Sequence, residues 1–164
     1  MTRFIYLGLR KEGPEKNGKY DDQGLMINAA TGRREDTEII ENLLSEQILD
    51  AAIEVHRTLG GPGLLESLYE DALFYELRLR GIPALSHVQI PVTYKNCKLR
   101  DSMRLDILVD GKIIIEVKAT ETLLAVHKAQ VLTYLRLTHL KLGIVANFGQ
   151  PRLIDGWNRV VNDL

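Results

Sequence analysis

The stretch from Arg104 to Lys118, RLDILVDGKIIIEVK, constrains the fold more than any other part of the sequence. Leu105 to Val109 and Ile113 to Val117 are short, branched and apolar, and Asp110-Gly111 between them is a strong hairpin signal. Such strands belong in a sheet buried on both faces, where a carboxylate or an ammonium is costly without a partner. Asp106, Glu116 and Lys118 therefore demand an explanation. Side chains alternate along a strand, so Glu116 and Lys118 share a face, and the loop length decides whether Asp106 joins them. A two-residue loop would set Asp106 opposite Ile115, on the wrong side from Glu116. A three-residue loop, with Val109 and Asp110 in a type I turn and Gly111 left-handed, would set it opposite Ile114 with Glu116 as its diagonal neighbour. In that register two carboxylates can converge on one hard divalent cation such as magnesium.

Composition limits the alternatives. The 164 residues suit one domain, and 45% hydrophobic with 26% charged residues can bury an ordinary core. The single cysteine, Cys97, excludes an intrachain disulfide framework or a multi-cysteine zinc site and suits a reducing, cytoplasmic setting. No apolar run has signal-peptide or membrane-spanning length, so no membrane association is expected. The net charge is −1, but residues 1–94 carry 10 Lys and Arg against 15 Asp and Glu, and residues 95–164 carry 11 against 7. The half containing the hairpin is thus the basic one, as a phosphate-binding face would require, although ordinary solvated surface has the same composition.

Along the chain, residues 1–36 lack periodicity and are set aside as a loosely ordered leader, with a loop at residues 28–34; Met26 is a second candidate start. Residues 37–164 form the expected domain. From Thr37 the pattern turns helical, with the main helix expected from an N-cap at Ser45 to Leu59, burying Ile48, Ala52, Val55 and Leu59. After Gly60-Gly-Pro-Gly63, a second should run from Leu64 to Arg80 and stop at Gly81. Its apolar arc takes in Leu65, Leu68, Tyr69, Ala72 and Leu73, with Glu66 at the inward edge and Tyr69 in the core. Val88 to Tyr94 alternates as a strand, placed at an edge by Pro91. A helix from Leu123 to Thr138 carries His127, Gln130 and Tyr134 as a stripe at the border of core and solvent. Strands at residues 141–148 and 152–161 complete an α/β protein.

These residues carry a resemblance. Asp106, followed after the hairpin by Glu116-Val-Lys118, resembles the signature of the PD-(D/E)XK nucleases. Gly63-Leu-Leu-Glu66-Ser-Leu-Tyr69 matches the motif of the GxxExxY family within them, and Gln130-Val-Leu-Thr-Tyr134 is similar to a Gln-x-x-x-Tyr helix motif of the exonuclease-like branch. Leu105 stands where the superfamily name has proline. The resemblance implies a restriction-endonuclease-like core, a mixed β-sheet flanked by helices in α-β-β-β-α-β order. It further implies a Mg2+-dependent nuclease, with Mn2+ as substitute, acting on nucleic acid and foremost DNA. Asp106, Glu116 and Glu66 would hold the metal and Lys118 would join them in catalysis. Gln130 and Tyr134 would contact Lys118 or the nucleic-acid backbone, with His127 and Tyr69 supporting. The modest basic charge leaves room for a partner protein that supplies DNA affinity, and symmetric cutting of duplex would suggest a homodimer, although no sequence feature demands one. The rival reading is a nucleic-acid-binding or protein-interaction module on the same fold that does not cut.

Overall fold

A computed structural model describes the backbone of residues 29–162 and the side chains from residue 38. The element order is α1 (Ala29–Thr58), α2 (Glu66–Leu79), β1 (Ala84–Tyr94), β2 (Cys97–Val109), β3 (Ile113–Lys118), α3 (Ala125–Thr138), β4 (Leu142–Asn147) and β5 (Trp157–Val161). One 3-10 turn, Leu153–Gly156, precedes β5. Residues from Glu41 onward form one compact unit. Its five strands lie in chain order, antiparallel except where β3 meets β4. That parallel pair needs a crossover, and α3 supplies it. No helix among the described residues is long and apolar enough to cross a membrane.

The sheet separates two cores. Ile107, Val109, Ile113, Ile115 and Val117 pack on one face with Ile48, Ala52 and Val55 of α1 and Tyr69, Leu73 and Leu77 of α2. Leu108, Ile114 and Val145 pack on the other with Val131, Tyr134 and Leu135 of α3. The alternation read from sequence is therefore the alternation between two hydrophobic layers. β3 and β4 are buried along nearly their whole length, as a strand covered by helices on both faces must be.

Several expectations need correction. α1 begins at Ala29 and passes straight through Ser45, which is buried within the helix instead of capping it. Residues 28–34 read as a loop because of Thr31-Gly32, but Ala29, Ala30, Arg33 and Arg34 are good helix formers, and one glycine costs only about 1 kcal/mol. The expected leader otherwise lies outside the described residues. α2 starts at Glu66, two residues late, and Leu65 and Leu68 are 72% and 47% exposed. Its buried stripe is Tyr69, Glu70, Leu73 and Leu77. Leu59 is likewise left outside the α1 stripe. The expected stop holds: Gly81 takes φ 70, with Gly81 N–H on Arg78 C=O and Ile82 N–H on Leu77 C=O, the paired bonds of a Schellman cap.

Candidate active site

The hairpin between β2 and β3 has a three-residue loop, Asp110-Gly111-Lys112, because Val109 pairs with Ile113. The odd parity is as expected, but the register lies two residues further on. Both Asp110 (φ 48) and Gly111 (φ 64) are left-handed, and Lys112 N–H donates to Val109 C=O at 2.9 Å, as in a type I′ turn with Lys112 as an extra residue. The expected type I turn would have had Asp110 right-handed, whereas Asp110 takes φ 48. The pairs Ile107 with Ile115 and Leu108 with Ile114 carry Asp106 to the level of Glu116 itself. There β2 leaves the ladder. The Asp106 side chain replaces a backbone acceptor, its Oδ2 accepting from Val117 N–H at 2.9 Å.

Across β2, the residue at the level of Asp106 is His87, between the pairs Ser86 with Ile107 and Val88 with Leu105. His87 has φ 54, a left-handed residue inside a strand. Its effect is visible in the packing. Leu105 and Ile107 have the same parity yet enter opposite cores, as do Val88 and Ala84. The ribbon thus changes face at His87 and Asp106 together. Strain of this kind, on the order of 1–3 kcal/mol, persists only where surrounding contacts impose it.

Glu116 and Lys118 meet on β3. Lys118 Nζ donates to Glu116 Oε1 at 2.8 Å and to Val117 C=O at 2.8 Å, and reaches Glu66 Oε1 at 3.3 Å. Glu116 is 2% exposed, and its Oε2 is buried with no hydrogen-bond partner. Burial, then the charge of Asp106, pushes the Glu116 carboxyl up to about 7 despite the Lys118 ammonium. Burial raises Asp106 as well, outweighing the Val117 N–H and the Lys118 charge. For Lys118, burial would lower the ammonium, but the hydrogen bond and charge of Glu116, with Glu66 and Asp106, raise it above the ordinary lysine value. A lysine so held is a cation and not a base at neutral pH.

Glu66 arrives from α2, where it is the first helical residue and its charge suits the positive end of the helix dipole. The segment before it is tied down by Tyr69. That hydroxyl donates to Gly61 C=O at 2.7 Å and accepts from Leu64 N–H at 3.1 Å, while the ring, fully buried, stacks on Phe148 at 4.7 Å. Gly63, at φ 118, turns the chain in a way that strains any other residue. The spacing of Gly63, Glu66 and Tyr69 thereby has a local physical reason: glycine makes the bend, tyrosine anchors it one turn inside the helix, and glutamate is delivered between them.

A family model described as the PD-(D/E)XK nuclease superfamily matches residues 42–160, a span that contains all of these groups. The chain belongs to the PD-(D/E)XK nuclease superfamily. Its mixed sheet with helices on both faces is the restriction-endonuclease-like core of that superfamily. No curated protein and no solved structure shows significant similarity to the chain.

Within this PD-(D/E)XK domain, α3 contributes a second polar group. Tyr134 Oη donates to Arg104 C=O at 3.0 Å and accepts from Gln130 Nε2 at 2.7 Å, so these bonds run to each other and to β2 instead of to Lys118. The tyrosine still senses the charges of Glu116, Asp106 and Lys118; burial, the largest influence on it, raises its hydroxyl above the ordinary value. His127 does a different job. Its Nδ1 accepts from Leu124 N–H at 3.2 Å and so caps the start of α3.

Two groups beside the PD-(D/E)XK residues were not singled out from sequence. Glu70, one turn beyond Glu66 and buried, lies 2.6 Å by Oε1 from His87 Nε2, an ion-pair distance without good hydrogen-bond geometry. Burial and the Asp106 charge raise its carboxyl, outweighing His87 and Arg104. Its place after Tyr69 on the buried stripe was the available signal. Asn147, 1% exposed, holds the chain just past Lys118: Oδ1 accepts from Thr120 and Gly149 N–H, and Nδ2 donates to Thr120 C=O. A Cβ on Gly149 would sit 2.3 Å from Thr120 O, so only glycine lets these segments close.

Hard oxygen donors and the unpartnered Glu116 Oε2 fit a divalent cation in chemical type. Among the described residues, however, no group of three or more His, Cys, Asp or Glu converges closely enough to hold one as arranged. Lys118 is instead the cation that Glu116 and Glu66 share.

Proposed function

We propose that this chain is a nuclease that hydrolyses phosphodiester bonds, with DNA as the foremost substrate and Mg2+ (or Mn2+) as cofactor. The observation that carries the reading is the buried Glu116 carboxylate, one oxygen on Lys118 and the other free, beside Asp106. An acid in that position is kept at a cost to stability, and cation binding is the function that would offset it. Asp106, Glu116 and Glu66 would hold the metal, which supplies a Lewis acid toward phosphate and a bound water of lowered pKa.

The chain's own residues have separable roles. Lys118, charged and fixed by two carboxylates, stabilises negative charge that develops on the phosphate oxygens. Asp106, bonded to Val117 N–H, keeps β2 and β3 in the register that sets Glu116 beside it. Gln130 and Tyr134 hold Arg104 and with it the backbone just before Asp106. Tyr69 and His127 fix the helix starts that flank the site.

The rival reading, a binding module that does not cut, draws on one observation: the carboxylates and Lys118 satisfy much of one another as they stand. Circular single- and double-stranded DNA and RNA incubated with magnesium, manganese or chelator separate the two. The nuclease reading expects metal-dependent cutting of DNA circles. Binding without cutting under either metal would favour the module.

A further inference from the structure

β2 pairs with β3 only from Ile107 to Val109, but pairs with β1 all the way to Cys97. Beyond Asp106 the two strands therefore run on as a ribbon with no third strand among the described residues. Its base is seated on α3 through Val88, Ile90, Met103 and Leu105, and every residue from Thr93 to Ser102 is exposed. Because the register shifts between Pro91 and Thr93, the paired length follows β1 from His87 to Tyr94, about 23 Å at roughly 3.3 Å per residue.

Its chemistry is one-signed. Between Lys95 and Arg104 stand Lys95, Lys98, Arg100 and Arg104 against Asp101 alone. The register places Lys98, Ser102 and Arg104 on one face with Thr93, Pro91 and Gln89, opposite the face that Ile90 and Met103 turn toward α3. That polar face is continuous across the strands, Ser102 Oγ donating to Gln89 Oε1 at 2.6 Å. It lies on the α2 side, where the charge of Arg104 reaches both Glu70 and Asp106. The ribbon thus starts at a candidate metal ligand and leads away from it as a basic, polar strip.

We propose that the β1–β2 ribbon is a duplex-binding arm that lies along double-stranded nucleic acid beside the bond to be cut. This rests on the nuclease reading. A two-stranded ribbon fits a major groove about 12 Å wide, and about 23 Å of arm spans roughly seven base pairs. Lys95, Lys98 and Arg100 take phosphates. A single strand would call for a row of aromatic platforms, and Tyr94, its ring under Lys95 Nζ at 5.5 Å, is the only Phe, Trp or Tyr in the ribbon.

The test is a variant carrying Lys95→Asn, Lys98→Gln and Arg100→Gln, with asparagine chosen because it tolerates the left-handed backbone of Lys95 (φ 54). A second variant, Lys98→Arg with Arg100→Lys, keeps the charge. Binding to duplex and single-stranded DNA is measured in chelator against salt, and cleavage in magnesium or manganese. For the neutral variant the slope of log affinity against log salt on duplex falls by about two to three, KM rises and kcat holds, while the charge-keeping variant behaves as wild type. If wild type cuts DNA and the neutral variant matches it in affinity and slope, the arm is overturned and the nuclease reading stands. Equal losses on single strands and duplex overturn the duplex assignment. Failure of wild type to bind or cut any nucleic acid overturns both.

Discussion

Glu116 and Lys118, two residues apart on β3, share a hydrogen bond of 2.8 Å through Glu116 Oε1, and the second oxygen of the same carboxylate is buried without a partner. A half-satisfied acid of this kind is costly in its ionised form, and the cost can be measured.

The Glu116 carboxyl, at about 7 when folded against an ordinary 4.5, binds a proton in the native state that the unfolded chain has already released. Stability supported by this group is therefore full in acid and declines as pH rises from about 4.5 to 7, by on the order of 3 kcal/mol without metal. Denaturant unfolding in chelator should show wild type losing stability relative to Glu116→Gln as pH rises from about 4.5 to about 7. A difference that is flat or widens in wild type's favour would count against the burial of that charge. Metal affinity should rise over the same range, since the cation competes with the proton.

Lys118→Met keeps the aliphatic stem and removes the ammonium held by Glu116 and Glu66. Cleavage is expected to slow on the order of 10² to 10³ with nucleic-acid binding retained. Without metal the variant should melt lower, because two carboxylates lose their cation. Single-turnover cleavage and melting on one preparation decide it; equal cleavage removes Lys118 from the chemistry.

Glu66 has a side chain 45% exposed and contacts Lys118 at the mouth of the site. Glu66→Gln should fold normally, yet bind manganese about tenfold or more weakly and cleave more slowly. Calorimetric titration beside a cleavage assay tests this. Unchanged affinity and rate would reduce Glu66 to a partner of Lys118.

Tyr69→Phe leaves the stacked ring on Phe148 but strips Gly61 C=O and Leu64 N–H of their shared partner. A loss of about 1–2 kcal/mol is expected, read as a melting point lower by roughly 2 to 8 °C. Because the anchored bend delivers Glu66, cleavage should fall while affinity for duplex changes little. A variant that loses stability with full activity would show that the bend does not position Glu66.

Local rules carried the sequence reading a long way. Branched apolar runs around Asp110-Gly111 specified the hairpin, and Gly81 specified the end of α2, because turn conformation depends on a few adjacent residues; the odd loop followed only from requiring Asp106 and Glu116 on one face. Periodicity specified the order of helices and strands, and Tyr69 was recognisable as core.

What the sequence could not decide were relations between segments far apart in the chain. The register of Asp106 against Glu116 depends on a type I′ turn chosen by the twist of both strands, and a shift of two residues preserves every local preference. The helical wheel buried Leu65 and Leu68, but among the described residues no element covers that side of the start of α2, so they are exposed. The pairing of Glu70 with His87 joins a helix to a strained strand residue, and Asn147 closes on Thr120 from another strand. Periodicity along the chain determines which faces are apolar; only the assembled sheet determines which polar groups are left inside it, because burial and charge are properties of neighbours that the chain brings together in space.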